Sequence, residues 1–267
     1  MKLLENWPAI FIEKPKPAIV ISDVHFGFEE ELRDRGIKVP SQTWKITEYL
    51  TKMIEKWSPK EIIILGDLKH KIPYSSPIEW EEMPKAIEKI RETGVEIILV
   101  PGNHDGNIKK ILGNTVRYAP SHGLLIECEK KLFMYHGHRW PDTSILKCDI
   151  VFMGHLHPMI NFRTEVGSIV KKPVWLLMEG DKKNLVRVFR KKYGLKVKGS
   201  GKINLIVLPA FNPLLSGISI NNLNLNDRLW PLIRTGCFTL SKAEVILLSG
   251  QILGRLEQIE KITEDSL

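Results

Sequence analysis

The sequence predicts an α/β fold, with a parallel sheet in the first half and a mixed sheet in the second. Three observations carry that reading. Short apolar runs alternate with stretches of helical periodicity over the first hundred residues. Clusters of Asp, Asn, Gly and His follow directly on those runs. After about residue 115 the pattern changes to short strands with few helices. Strand, helix, strand, helix, strand implies parallel pairing through right-handed crossovers.

The first run, AIVIS (18–22), ends at Asp23. From Thr43 to Trp57, Ile46, Tyr49, Leu50, Met53, Ile54 and Trp57 recur at i, i+3, i+4, i+7, i+8 and i+11, the stripe of an amphipathic helix stopped by Ser58-Pro59. EIIIL (61–65) is a second strand and runs into Gly66-Asp67. A helix with Pro84 near its first turn and Gly94 at its end is expected next. EIILV (96–100) then leads into Pro101-Gly102-Asn103-His104-Asp105. In the second half LLIEC, LFMYH, DIVFM, VWLLM, LVRVF and INLIVL read as strands. Leu185/Arg187/Phe189 and Tyr193/Leu195/Val197 alternate around Lys-Lys-Tyr-Gly, which predicts a hairpin over 181–202. EVILLSGQILGRLEQI reads as two strands joined by a Ser-Gly-Gln turn. The expected organisation is one domain over 1–267, with the polar motifs in 23–157, the basic hairpin in 181–202 and C-terminal strands in 203–255.

Composition narrows the class. With 267 residues, 43% of them hydrophobic and 26% charged, the chain has the material for a substantial core, and disordered and fibrous classes drop out. No apolar run reaches the roughly 18 residues of a membrane-spanning helix, and Glu5, Pro8 and Glu13 interrupt the N-terminal segment, so a cytoplasmic protein without a membrane partner is expected. Cys128, Cys148 and Cys237 are too far apart for a disulfide framework or a zinc ribbon. The net charge of +8 is local: residues 1–160 carry 22 basic and 22 acidic side chains, residues 161–267 carry 17 and 9. Nine basic residues fall in 181–202 against Asp181 alone. Such a density attracts phosphate backbones, DNA or RNA, although a solvated charged face has the same composition.

All eight histidines lie before residue 158. Asp23-Val-His25, Gly66-Asp67, Gly102-Asn103-His104-Asp105, His136-Gly-His138 and Gly154-His155-Leu-His157 each follow an apolar strand. In an open α/β sheet, sites form outside the carboxyl ends of strands. If these segments are extended, Asp23/His25 and His155/His157 each aim two donors to one side. Carboxylate, imidazole and amide oxygen without thiolate suit manganese, iron or zinc in a catalytic site.

In this order, D-x-H, G-D-x-x, G-N-H-D, H-G-H and G-H-x-H resemble the calcineurin-like metallophosphoesterase superfamily. SDVHFGFEEELRDRGIKVPSQ, GDLKH, GHLHP and LPAFNPLLSG further resemble the archaeal phosphoesterases related to SbcD-type repair nucleases, described as ICC-like, over residues 18–255. The resemblance implies a four-layer αββα sandwich of two mixed β-sheets flanked by helices. It implies two divalent ions, manganese with iron, zinc, nickel and magnesium as alternatives, bridged by Asp67. Asp23, His25 and His157 complete the first ion's ligands; Asn103, His136 and His155 complete the second's. It further implies a catalytic pair: Asp67, and His104 orienting phosphate or protonating the leaving oxygen. A two-metal clamp of this kind polarises phosphoryl oxygens and lowers the pKa of a bridging water.

Around these positions Asp105 reads as a turn or cap residue, His122 as structural, and His70 and His138 stay open. Phe26, Phe28, Glu29, Arg33 and a loop from Lys69 to Trp80 are expected to rim the site, with core packing as the alternative to base stacking for Phe26 and Phe28. LKHKI after Asp67 lacks the V-D-R-G continuation of Ser/Thr protein phosphatases, which argues against phosphoprotein substrates. The expected function is hydrolysis of phosphodiesters in nucleic acid or nucleotides. A small-molecule phosphomonoesterase, a cyclic-nucleotide phosphodiesterase and a non-catalytic scaffold are the alternatives, the last disfavoured because every ligand position holds a competent donor.

Overall fold

The computed structural model describes residues 1–164, 166–222 and 230–259. Its first sheet has the order β1 (Lys2–Leu3), β2 (Ile10–Ile12), β3 (Ala18–Ile21), β4 (Glu61–Ile64), β5 (Glu96–Leu99) and β6 (Arg117–Tyr118). β3 to β6 are parallel, while β1 and β2 pair antiparallel at one edge. The crossovers carry helices α1 (Phe28–Asp34) and α2 (Thr43–Trp57), then α3 (Pro77–Arg91), then α4 (Ile108–Leu112).

Strand alternation sorts the apolar side chains into two layers. Ile19, Ile21, Ile62, Ile64, Ile97 and Leu99 pack with Ile46, Leu50, Met53, Met83, Ile87 and Ile90 of α2 and α3. The intervening Ala18, Val20, Ile63, Leu65, Ile98 and Val100 join a larger core shared with the second sheet. Each strand is therefore apolar on both faces, as a sheet covered on both sides requires.

The second sheet comprises β7 (Leu124–Ile126), β8 (Leu132–Tyr135), β9 (Ile150–Met153), β10 (Pro158–Arg163), β11 (Ile169–Asp181), β12 (Lys202–Val207) and β13 (Ile218–Ser219), in the order β13-β10-β11-β12-β9-β8-β7. β14 (Glu244–Leu247) pairs with β11, and β15 (Ile252–Arg255) with β14. β8, β9 and β12 are mutually parallel and the other pairings with β11 are antiparallel, so this sheet is mixed. Helix α5 (Lys182–Tyr193) packs Leu185, Val186 and Phe189 into the core of this sheet. Helices, first sheet, second sheet and α5 make the αββα sandwich.

The expected hairpin over 181–202 and the expected strand LVRVF do not form; the segment is α5 followed by coil. Its buried positions, Lys182, Leu185, Val186 and Phe189, keep helical spacing, and alternation over six residues hid it. The ends decide the matter. Asp181 accepts a bond from the Lys183 amide at 2.8 Å as N-cap, and Gly194 closes the helix at φ 64°. A second correction concerns α3, where Pro77 and not Pro84 takes the first turn. Ser76 and Glu79 form a reciprocal capping box there, with Ser76 N to Glu79 Oε2 at 2.8 Å. The loop after Asp67 therefore ends at Ser76, and Pro84 lies inside the helix. The C-terminal hairpin of β14 and β15 is as expected. Of the segment 203–255, residues 223–229 lie outside the described residues. All three cysteines are free, Cys148 and Cys237 buried and Cys128 half-buried.

Candidate metal centre

The five polar motifs converge because the two sheets turn the same ends toward each other. β3 delivers Asp23 and His25, β4 Asp67, β5 Asn103 and His104, β8 His136, and β9 His155 and His157. The paired donors do not arise from extended backbone, as the sequence reading assumed. Asp23 (φ 58°), His25 (φ 45°), Asp67 (φ 51°), His155 (φ 70°) and His157 (φ 46°) are all left-handed. Each such residue costs roughly 1–3 kcal/mol of strain, which persists only where the surroundings fix it. Close approach adds to this: a Cβ on Gly102 would lie 2.2 Å from Asp67 Oδ1, and one on Gly154 1.7 Å from Ser22 Oγ.

Three groups of potential ligands result, one of them the all-histidine set His25, His70 and His104; the other two include carboxylates. Asp23, His25 and His157 form one, and Asp67, His136 and His155 the other, the ligand atoms of each group lying within 4.8 Å of one another. Asn103 Oδ1 is 3.2 Å from His136 Nε2. Asp67 stands between the groups, its Oδ2 3.6 Å from His25 Nε2 and 3.1 Å from His136 Nε2. Its other oxygen is occupied, because Oδ1 accepts the His104 amide at 2.8 Å. One oxygen, and not both, thus faces the two groups. Every residue expected as a ligand is brought to this place.

The donor set fits divalent cations. Among the described residues the buried His25 Nε2 and His157 Nε2 have no hydrogen-bond partner, although His157 Nε2 lies 3.0 Å from Asp23 Oδ1. His136 donates from Nδ1 to the Leu65 carbonyl at 2.8 Å, which turns its Nε2 toward the oxygens of Asp67 and Asn103. Lone pairs facing lone pairs in a buried site call for a cation. Without one, a proton serves: burial opposes the charged form of His136, but Asp67 and Asp23 outweigh it and hold the imidazole up to about 9. Burial works against Asp23 too, yet His157 and His136 bring it down to about 2. Asp67 is also held below the carboxylate range, by His136 and His25 against burial. Burial keeps His25 down to about 3 and His155 to about 4, neutral and ready to ligate.

Three further residues support this arrangement. Asp105 is buried and accepts the amides of Asp67 (2.8 Å), Leu68 (2.9 Å), Lys69 (3.3 Å) and Gly102 (2.8 Å), so it ties the second and third motifs together. Burial and the nearby Asp67 push it up to about 6. His70 Nδ1 is 3.0 Å from His25 Nδ1, and its Nε2 is 2.7 Å from Glu31 Oε2. With His25 Nε2 turned to the ligand group, Nδ1 carries the proton. The chain therefore runs His25 to His70 to Glu31, an arrangement that orients ligand imidazoles. Asn212, buried, donates to the Val24 carbonyl at 3.0 Å and clamps the first motif from the LPAFNPLLSG segment. A polar residue next to Pro213 in an apolar run was the one available signal.

His104 is half-buried; its Nδ1 bonds the His70 carbonyl and its ring lies 4.8 Å from that of His25. His138 sits beside the second group, 5.2 Å from the His136 ring, and Arg139 Nε donates to it at 2.9 Å. His122 is exposed and apart from the centre, with Nδ1 3.4 Å from the Trp140 carbonyl. Phe26 and Phe28 are buried, Phe28 edge-on to His70, and Glu29 accepts the Gln42 amide at 2.9 Å; these support the loops and do not rim the site. Arg33 is exposed on α1.

Comparison with known proteins finds likenesses of sequence and of fold. The family model for calcineurin-like phosphoesterases matches residues 16–147. Phosphodiesterase YfcE of Escherichia coli strain K12 is 27% identical over 124 residues, covering 45% of this chain and 67% of YfcE. The crystal structure of Pseudomonas putida nuclease MPE superposes with a TM-score of 0.54 at 16% identity, over 93% of this chain and 92% of that one, a likeness of fold.

Proposed function

From the calcineurin-like phosphoesterase domain that the chain carries over residues 16–147, we propose a dinuclear metal-dependent hydrolase that cleaves phosphodiester bonds of nucleic acid or nucleotides. The observation that carries this reading is the pair of Asp/His groups facing a single oxygen of Asp67. In it Asp23, His25 and His157 would hold one ion and Asn103, His136 and His155 the other, with Asp67 shared between them. Manganese is the ion we expect, on a donor set of imidazole, carboxylate and amide oxygen. Bound divalent ions supply Lewis acidity toward phosphoryl oxygens and a hydroxide nucleophile near neutral pH.

The protein's own residues do the rest. Hydrolysis adds water across a P–O ester bond, and the departing alkoxide needs a proton. His104 is our candidate for that delivery: the His70 carbonyl engages its Nδ1, which leaves Nε2 for substrate. Asp105 fixes the amides beneath Asp67, and the His25–His70–Glu31 chain holds the first imidazole in one orientation. The resemblance of its motifs to those of repair nucleases supports a polynucleotide substrate, as does the excess of basic residues in 181–202. We further propose one domain over 1–267, because the larger core draws on both sheets, and a cytoplasmic location. Among the described residues no helix is long and apolar enough to cross a membrane.

The test is Mn²⁺-dependent hydrolysis of bis(4-nitrophenyl) phosphate against 4-nitrophenyl phosphate. Diester preference supports the reading. Monoester preference makes the protein a small-molecule phosphatase, and no hydrolysis with any divalent ion returns it to the scaffold class.

A further inference from the structure

Helix α5 lines an open groove of about 760 Å³ that contains none of the metal-centre residues. Lys183, Val186, Arg187, Arg190 and Lys191 form its wall at helical spacing, and Lys198, Gly199 and Ser200 of the following coil form the other side. All five cationic side chains are exposed, and among the described residues none makes an ion pair. No carboxylate lines the groove. Arg190 is held in place, its Nε and Nη2 donating to the Val197 carbonyl at 3.0 and 2.8 Å.

Topology fixes where this groove lies. β12 runs parallel to β9, so its first residue, Lys202, is at the end of the sheet away from His155 and His157. Asp181 pairs with Lys202, so α5 starts at that far end. Its other end packs against the segment that follows β8. Tyr193 lies edge-on to Trp140 at 6.0 Å and Lys192 Nζ is 4.1 Å from the Trp140 ring, four residues after His136. Twelve helical residues span about 18 Å. At about 3.4 Å per phosphate along one B-form strand, that length matches roughly five phosphates.

We infer that the α5 groove is an exosite for the phosphate backbone of a nucleic-acid strand, binding it outside the metal centre without touching the scissile bond. The inference rests on the phosphodiester reading for its biological use, but it is tested by binding. Fluorescence anisotropy of a 20-nucleotide single-stranded DNA is measured with the parent, with Arg187→Glu/Lys191→Glu, and with Lys85→Glu/Lys89→Glu on α3, which changes net charge equally on the opposite face. The groove variant is expected to bind at least about tenfold more weakly at 50 mM salt. Its log–log salt slope should be shallower by roughly 1.4, two contacts at about 0.7 each. Its rate on bis(4-nitrophenyl) phosphate should equal the parent's, which also shows that it folds. The α3 variant should bind within about twofold of the parent. Equal losses in both variants, or an unchanged salt slope in the groove variant, overturn the exosite. If the parent binds DNA through the groove yet hydrolyses no diester, the exosite stands and the phosphodiesterase reading falls.

Discussion

At the carboxyl ends of the parallel strands Asp23, Asp67, Asp105 and His136 are all buried, whereas Lys183, Arg187, Arg190 and Lys191 of α5 stand in solvent. The buried set is over-determined: each carboxylate accepts amides or faces imidazoles, and the backbone beneath is strained into left-handed turns. The exposed set has almost no local constraint beyond the bonds from Arg190 to Val197. Burial explains the contrast, since a buried charge must be matched by its neighbours while an exposed one is solvated and screened within about 10 Å. Substitutions should therefore act as all-or-none losses at the first region and as graded, salt-dependent losses at the second.

The largest effect should come from Asp67→Asn. Removing the charge of the carboxylate whose Oδ2 faces both His25 and His136 should lower Mn²⁺-dependent diester hydrolysis by at least about a thousandfold, equivalent to about 4 kcal/mol of transition-state stabilisation. Metal content, read by plasma mass spectrometry, should fall further than in His157→Ala, which removes a ligand from one group only. Parent-like metal content and rate in Asp67→Asn would exclude a bridging role.

Next in size is His70→Ala, which breaks the chain from His25 to Glu31. Loss of an orienting partner typically weakens metal binding by about 10- to 100-fold. Calorimetric Mn²⁺ titration should show that loss at one of two sites, with His70→Asn, which keeps an acceptor, recovering part of it. Equal weakening of both sites would mean a general loosening of the loops.

His136 gives a smaller and pH-dependent effect. In the metal-free protein its proton is held up to about 9, above the unfolded value near 6.5, so it contributes stability that is complete below about pH 6.5 and lost as pH rises through 9. His25 and His155 act in the opposite direction. Held down to about 3 and 4, they stay neutral in the fold, so stability is lost as pH falls from about 6.5 toward those values. To ligate, His136 must give up its proton while the other two release none. Mn²⁺ affinity should therefore rise about tenfold per pH unit from pH 7 to about 9. Calorimetry at pH 7.5 in buffers of different ionisation enthalpy should find close to one proton released; none released would remove His136 from the ligands.

The same contrast decides what could be read from the sequence. Apolar runs ending in Asp and His located β3, β4, β5, β8 and β9 and the residues that converge at the candidate metal centre, because buried strands and paired donors leave short local patterns. The left-handed turns at Asp23 and His155 were invisible, since strain imposed by the surroundings has no composition of its own. Asp105 was legible as a residue that accepts backbone amides, but not as a tie between motifs, because its four amide partners come from two separate loops. On the exposed side, the charge excess at 181–202 was evident, but six residues of alternation suggested a hairpin. The helix is set by Asp181 and Gly194 at its ends.

Asp181→Ala should give the smallest change and sharpen the contrast most. Loss of an N-cap costs about 1 kcal/mol, or a melting temperature lower by roughly 2 °C in a protein of this size. The first turn of α5, with Lys183, should fray, while Arg190 keeps its bonds to Val197. If the groove worked through fixed geometry, as the metal centre does, DNA binding would weaken with that fraying. Exposed cations act mainly through their field, and the substitution also removes a negative charge beside them. The expected result is therefore a lower melting temperature with DNA affinity unchanged or up to about threefold tighter, and diester hydrolysis as in the parent. A tenfold loss of affinity would instead show that α5 presents its phosphate contacts as rigidly as the opposite end presents its ligands.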